Sequence, residues 1–137
     1  MKVELFVACD YAADYAGKLT IVGIFDSLGA TQLPVLHPQL CVAAKLRFDD
    51  TEAGPKQVRF TLADSDGRDV LKPLDMPIAA PPAAAETSFS IVNIVMNISS
   101  VRFERYGEHS LDLAIDGSHV ASTPLFIRPA AKPAPAP

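Results

Sequence analysis

Apolar side chains recur at every second position through most of this chain, and no long run repeats them at three to four. Val3, Leu5, Val7 and Cys9 alternate in KVELFVACD, and Val58, Phe60 and Leu62 do so in KQVRFTLAD. Leu40, Val42, Ala44, Leu46 and Phe48 alternate against Gln39, Cys41, Ala43, Lys45 and Arg47, and Leu111, Leu113 and Ile115 repeat the pattern in HSLDLAI. A period of two sends neighbouring side chains to opposite faces of a sheet, so a chain written this way buries its apolar set between sheets.

Residues 19–28, 87–99 and 119–128 read as further strands from their β-branched and aromatic content. Gly17 and Gly67 mark turns, Pro34 and Pro38 bracket a connection, and Asp116-Gly117 is a strong hairpin signal. Between 70 and 86 four prolines leave room only for short edge strands at 70–72 and 76–79. Pro124 assigns the last strand to an edge or a bulge, because a central strand needs its missing N–H. About seven to nine strands at roughly ten-residue spacing predict an all-β fold, a two-sheet antiparallel β-sandwich of immunoglobulin-like type. One domain spans 1–128, and 129–137, rich in Ala and Pro, reads as a disordered tail.

The length, 137 residues, is that of one domain. Twelve Lys and Arg are scattered among sixteen Asp and Glu, a formal charge of −4, which argues against nucleic acid as a partner. No apolar stretch approaches the roughly 18 residues of a membrane span, so no membrane partner is expected. The opening MKVELFVACDYAADY has Glu4 soon after its first lysine and alternating apolar residues, unlike a secretory leader. The expected location is cytoplasmic. Cys9 and Cys41 are too few for a disulfide framework and read as small buried hydrophobes.

The segments MKVELFVACDYAADYAGKLTIVGIFDSL, HPQLCVAAKLRF and YGEHSLDLAIDGSHVASTPLFIR resemble a family of small bacterial proteins catalogued only as a domain of unknown function. The resemblance spans about residues 1–128 and is carried by Cys9 to Ala12, Gly17 to Gly23 and Gly107 to His109. It implies a sandwich and supplies no activity. His109 stands where the resemblance leads to an aromatic residue.

Candidate chemistry is sparse. Asp10 beside Cys9 works against a reactive thiolate, and no serine or cysteine lies in a nucleophile turn. A two-residue Asp116-Gly117 turn sets His119 opposite Ala114 and His109 opposite Pro124, about five rows apart, so the two imidazoles do not share a metal. The chain is therefore read as having no catalytic residues and no resident cofactor. Simple up-and-down alternation of the first four strands would gather Asp10, Asp14, Asp49, Asp50 and Glu52 at one end, where flexible loops can hold Ca2+. A cation- or small-ligand-binding sandwich is accordingly one alternative reading of function, and an enzyme of unrecognised type is another.

Two strands are apolar on both faces. Leu19, Ile21 and Phe25 oppose Val22 and Ile24, while Phe89, Ile91 and Val95 oppose Val92, Ile94, Met96 and Ile98. A second apolar face needs cover, either from the Pro-rich segment 73–82 or from another subunit. The interface reading takes Val22, Ile24, Val92, Ile94 and Met96 as its surface and a homo-oligomer or protein partner as its occupant. Asn93 and Asn97 share the Phe89 face and read as register-setting amides. The leading expectation is a non-catalytic protein-protein interaction or assembly module.

Overall fold

In the computed structural model, which describes residues 1–131, nine strands form two stacked sheets. The strands are β1 (Lys2–Tyr15), β2 (Lys18–Phe25), β3 (Ser27–Ala30), β4 (Val35–Asp49), β5 (Gly54–Ala63), β6 (Leu74–Ala80), β7 (Phe89–Phe103), β8 (Gly107–Ile115) and β9 (Ser118–Pro129). One sheet has the order β2-β1-β4-β7 and the other β3-β9-β8-β5-β6. All neighbours are antiparallel except β3 and β9, which run parallel. The expected tail lies outside the described residues from 132 onward. Its first residue, Pro129, instead ends β9 opposite Ala30.

The alternating residues named above meet between the sheets. Leu40, Leu46 and Phe48 of β4 face Phe60 and Leu62 of β5 and Leu111 and Leu113 of β8, all fully buried. Phe6 crosses the gap to Phe60 in an edge-to-face contact with ring centroids 6.3 Å apart. Tyr106 donates its hydroxyl hydrogen to the Ala30 carbonyl at 3.1 Å, tying the corner before β8 to the end of β3. A tyrosine three positions before His109 thus anchors this corner. His109 packs edge-on against Phe103 and lies 3.1 Å from the Gly107 carbonyl.

The prolines obey the ladder rule in places that sequence spacing did not locate. Pro38 lies inside β4, but β1 pairs with β4 only from Cys41 onward, so one edge of β4 is open there. Pro124 lies before Phe126, where β3 begins to cover β9. Pro77 sits in β6, the outermost strand of its sheet. The Asp116-Gly117 hairpin has the expected Ile115–Ser118 pairing, but a bulge after Leu113 shifts His109 from Pro124 to Leu125.

Three boundaries move. β1 runs on to Tyr15 through the segment read as a loop, ending in a two-residue turn with Ala16 and Gly17 at φ 52° and 81°. β7 continues to Phe103, beyond the turn expected at Ser100, and Ser100 at φ 56° marks a change of facing. Ile94 and Met96 point inward before it, Val101 and Phe103 after it. The stretch 19–28 is two strands, because the chain crosses between sheets at Asp26. That extra crossing reverses the direction of every strand after it relative to simple alternation.

Candidate interaction surface

The reversal separates the acidic residues expected to cluster. Lys2 pairs with Arg47 and Cys9 with Cys41, so Asp10 and Asp14 lie toward the opposite end of β4 from Asp49. The distance from the Cys41 row to Asp49 is roughly 25 Å at about 3.3 Å per residue. The carboxylates also have local work. Asp14 accepts from the Gly17 N–H at 2.8 Å, while Asp49 accepts from the Thr51 N–H at 2.9 Å. Glu52 accepts from the Asp49 N–H at 3.0 Å and pairs with the terminal amine at 2.8 Å. The Thr51 hydroxyl holds the Asp49 carboxyl below its ordinary value, and the Asp49 N–H does so for Glu52. Asp50 stands beside them in the short 3-10 turn. Among the described residues no three His, Cys, Asp or Glu side chains converge as metal ligands.

The apolar residues divide as well. Ile94 and Met96 are buried in the main core with Val92 packed against it, because the even positions of β7 before Ser100 face the second sheet. They form no exposed face. The opposite side of that sheet carries a second cluster, Cys9, Cys41 and Ala43, with Val95 against it. Its cover is the β1–β2 hairpin, whose Ala12, Leu19 and Ile21 pack on this cluster. The Pro-rich segment supplies β6 at the far edge of the other sheet instead.

The hairpin's construction follows from its sequence. β1 exchanges its β4 partner for β2 around Cys9, and Gly23, at φ 70°, sits opposite Asp10. A Cβ at Gly23 would lie 2.3 Å from Asp10 Oδ2 and 2.9 Å from its Cγ, so only glycine fits against this carboxylate. The tip is held by Asn93, whose Nδ2 donates to the Gly17 carbonyl at 3.2 Å. Asn97 instead accepts from Gln39 Nε2 at 3.1 Å. Beneath the tip lies a cleft of about 510 Å³ lined by Glu4, Leu5, Lys18, Leu19, Ile21 and Lys45. Burial works to raise the Glu4 carboxyl, but Arg47 and Lys45 outweigh it and hold it low.

With one face of the hairpin committed to the cluster, the other faces water. Tyr11 (55% exposed), Tyr15 (76%) and Val22 (55%) line that outward side, and Tyr11 pairs directly with Val22, while Ile24 (59%), beyond Gly23, pairs with Cys9. β2 is also the end strand of its sheet, with a backbone edge that no strand pairs among the described residues. Val22 and Ile24 are thus both exposed, on either side of Gly23, and separate from Val92, Ile94 and Met96.

The groups that could do covalent chemistry are arranged otherwise. Cys9 faces Cys41 across the ladder, and burial, then Cys41, then Asp10 push its thiol up to about 12, far from a thiolate at neutral pH. On β8 and β9 sequence reading missed an Asp112, His119 and Ser122 trio, assembled by the bulge after Leu113. His119 Nε2 lies 2.7 Å from Ser122 Oγ and 3.2 Å from Asp112 Oδ1, and Ser122 donates to Asp112. A hydrolytic triad holds Asp and Ser on different ring nitrogens, so that imidazole passes the proton between them. Here both partners meet the same nitrogen on an exposed sheet face. His37 stands edge-on to Phe25 with centroids 6.0 Å apart. A second cleft, about 340 Å³, has acids and arginines in balance: Asp64, Asp69 and Glu104 with Arg68, Arg102 and Arg105, beside His109.

Solved structures of similar fold include the alkylpurine DNA glycosylase AlkC of Pseudomonas fluorescens, with DNA containing an abasic-site analogue. It has 12% identity and a TM-score of 0.52, covering 93% of this chain and 30% of that one. A β-glucosidase from Listeria innocua in complex with gluconolactone is similar at 11% identity and a TM-score of 0.51, over 92% of this chain and 16% of that one. The chain thus spans less than a third of either enzyme, and at these identities the likeness is one of fold. A comparison with curated proteins finds no match. The profile of a family of unknown function, DUF6941, matches residues 4–128, nearly the whole sandwich, and the chain belongs to that family.

Proposed function

We propose that this chain is a non-catalytic interaction module that binds a protein partner through the outward face and free edge of the β1–β2 hairpin. One observation carries the reading: Tyr11 and Tyr15 of β1 and Val22 of β2 are exposed on one face of a hairpin whose outer strand, β2, has an edge unpaired among the described residues. Large apolar side chains gathered this way mark contact surfaces, and tyrosine adds contact area at low conformational cost. The inner face of the hairpin is fastened to the sheet by Leu19 and Ile21. The outward residues thus project from a fixed platform.

The module is read as working in the cytoplasm. Cys9 and Cys41, adjacent across two strands and unbridged, fit a reducing compartment. Among the described residues no helix is long and apolar enough to cross a membrane.

A photo-crosslinking residue placed at Tyr11, with Gln57 on the other sheet as control, tests the reading in the cell that makes the chain. Irradiation is expected to give one discrete protein adduct from position 11 and none from position 57. Absence of an adduct at position 11, or equal labelling at both, would overturn it.

A further inference from the structure

We infer that Cys9 and Cys41 form a dithiol site that a small-molecule disulfide converts to an intramolecular bridge, with the β1–β2 hairpin as the cover that controls access. The inference goes beyond the interaction reading and does not depend on it, because neither cysteine lies on the exposed face of the hairpin.

These are the chain's two cysteines, far apart in sequence, and the β1–β4 ladder sets them directly opposite each other. Directly opposed residues of antiparallel strands carry their side chains on the same face, with Cα atoms about 4.5–5.5 Å apart. A disulfide takes Cα atoms about 4.4–6.8 Å apart, so the ladder already holds both backbones within range. The Cβ atoms of such a pair, about 4.5–5.5 Å apart, need to close by about 1 Å or less. Cys9–Cys41 is also the final pairing of β1 with β4 at this end, where β1 leaves for β2 and the ladder has room to give.

Both thiols are 0% exposed, so the closed molecule offers an oxidant nothing to attack. Their cover is Ala12, Leu19 and Ile21 of the hairpin, whose tip is tied down by the Asn93–Gly17 hydrogen bond. Within its sheet β2 neighbours β1 alone, and the cleft of about 510 Å³ undercuts the tip. An element held by so few contacts opens at lower cost than the core between the sheets. Once the hairpin lifts, one thiol loses its proton and attacks a sulfur of R–S–S–R. A cysteine–sulfur bond forms, the R–S–S–R bond breaks and R–S⁻ leaves. The second thiol, deprotonated in turn, attacks the cysteine sulfur of this mixed disulfide, forming the Cys9–Cys41 bond and releasing the other R–S⁻. The two cysteine protons end on the released groups, so one R–S–S–R is reduced to two R–SH as the dithiol is oxidised.

The test is incubation of the full chain with excess oxidised glutathione at neutral pH, then alkylation of remaining thiols in denaturant and intact-mass measurement. The expected product is a single chain lighter by two hydrogens, without alkyl groups or glutathione, and dithiothreitol should restore the starting mass. Gly23→Ala strains the hairpin and should speed bridge formation about tenfold. Urea below the unfolding transition should leave the rate nearly unchanged, because lifting the hairpin exposes little surface. Two thiols still open to alkylation, a glutathione retained on each cysteine, or a disulfide joining two chains would overturn the inference. So would a rate that climbs with urea as steeply as global unfolding, since the bridge would then form in the unfolded chain.

Discussion

Gly23 and Cys9 show what single positions contribute. The left-handed backbone at Gly23 costs any other residue about 1–2 kcal/mol, and the Asp10 side chain occupies the space of a Cβ. Gly23→Ala should therefore lower stability in urea by at least that amount, and adding Asp10→Ala should recover only part of the loss. The Cys9 thiol, raised from its ordinary 9.0 to about 12 by burial and by Cys41, gives stability an alkaline limit. Below pH 9 the folded and unfolded thiols both keep their proton. Above it the unfolded thiol ionises while the folded one does not, so stability falls with rising pH across that interval. The acid limit comes from carboxyls held low, Asp49 by the Thr51 hydroxyl, Asp64 by the Arg68 N–H and Asp75 by Arg59. They stay ionised in the folded state where unfolded ones protonate, so stability falls as pH drops below 3.8. Urea midpoints across pH should trace a plateau between these limits, and Cys9→Ala should flatten the alkaline arm.

Among the elements the β1–β2 hairpin was the least legible. Its residues read as strand, turn and strand, yet its fold-back over the sheet depends on Asp10 facing Gly23 and on Asn93 reaching Gly17, contacts between positions far apart in the chain. No periodicity reports them. The second apolar face was visible, but which segment covers it was not. Ala43, fully buried beneath the hairpin, offers a test at this scale. Ala43→Leu overfills the contact and should cost about 1–3 kcal/mol. Hydrogen exchange should then speed at the amides of β1 and β2 beyond Cys9, while β5 and β8 keep their protection. Equal acceleration everywhere would mean that the hairpin unfolds only with the whole domain.

For the whole molecule, the inter-sheet core unites distant segments. Phe60 is fully buried and meets Phe6 from the other sheet. Phe60→Ala should destabilise by about 3–5 kcal/mol, read from denaturant midpoints, and slow no local segment selectively. By itself the sequence determined the all-β class, the inward residues of β4, β5 and β8, and the hairpin at Asp116-Gly117. Those features rest on side-chain alternation and turn geometry, which act between near neighbours. Only the tertiary structure decided that Asp26 crosses between sheets, which parted Asp10 and Asp14 from Asp49, Asp50 and Glu52. It likewise put Ile94 and Met96 in the core and left Val22 and Ile24 outside. A strand carries the same alternation in either direction and in either sheet, so direction, sheet and covered face follow from long-range packing alone.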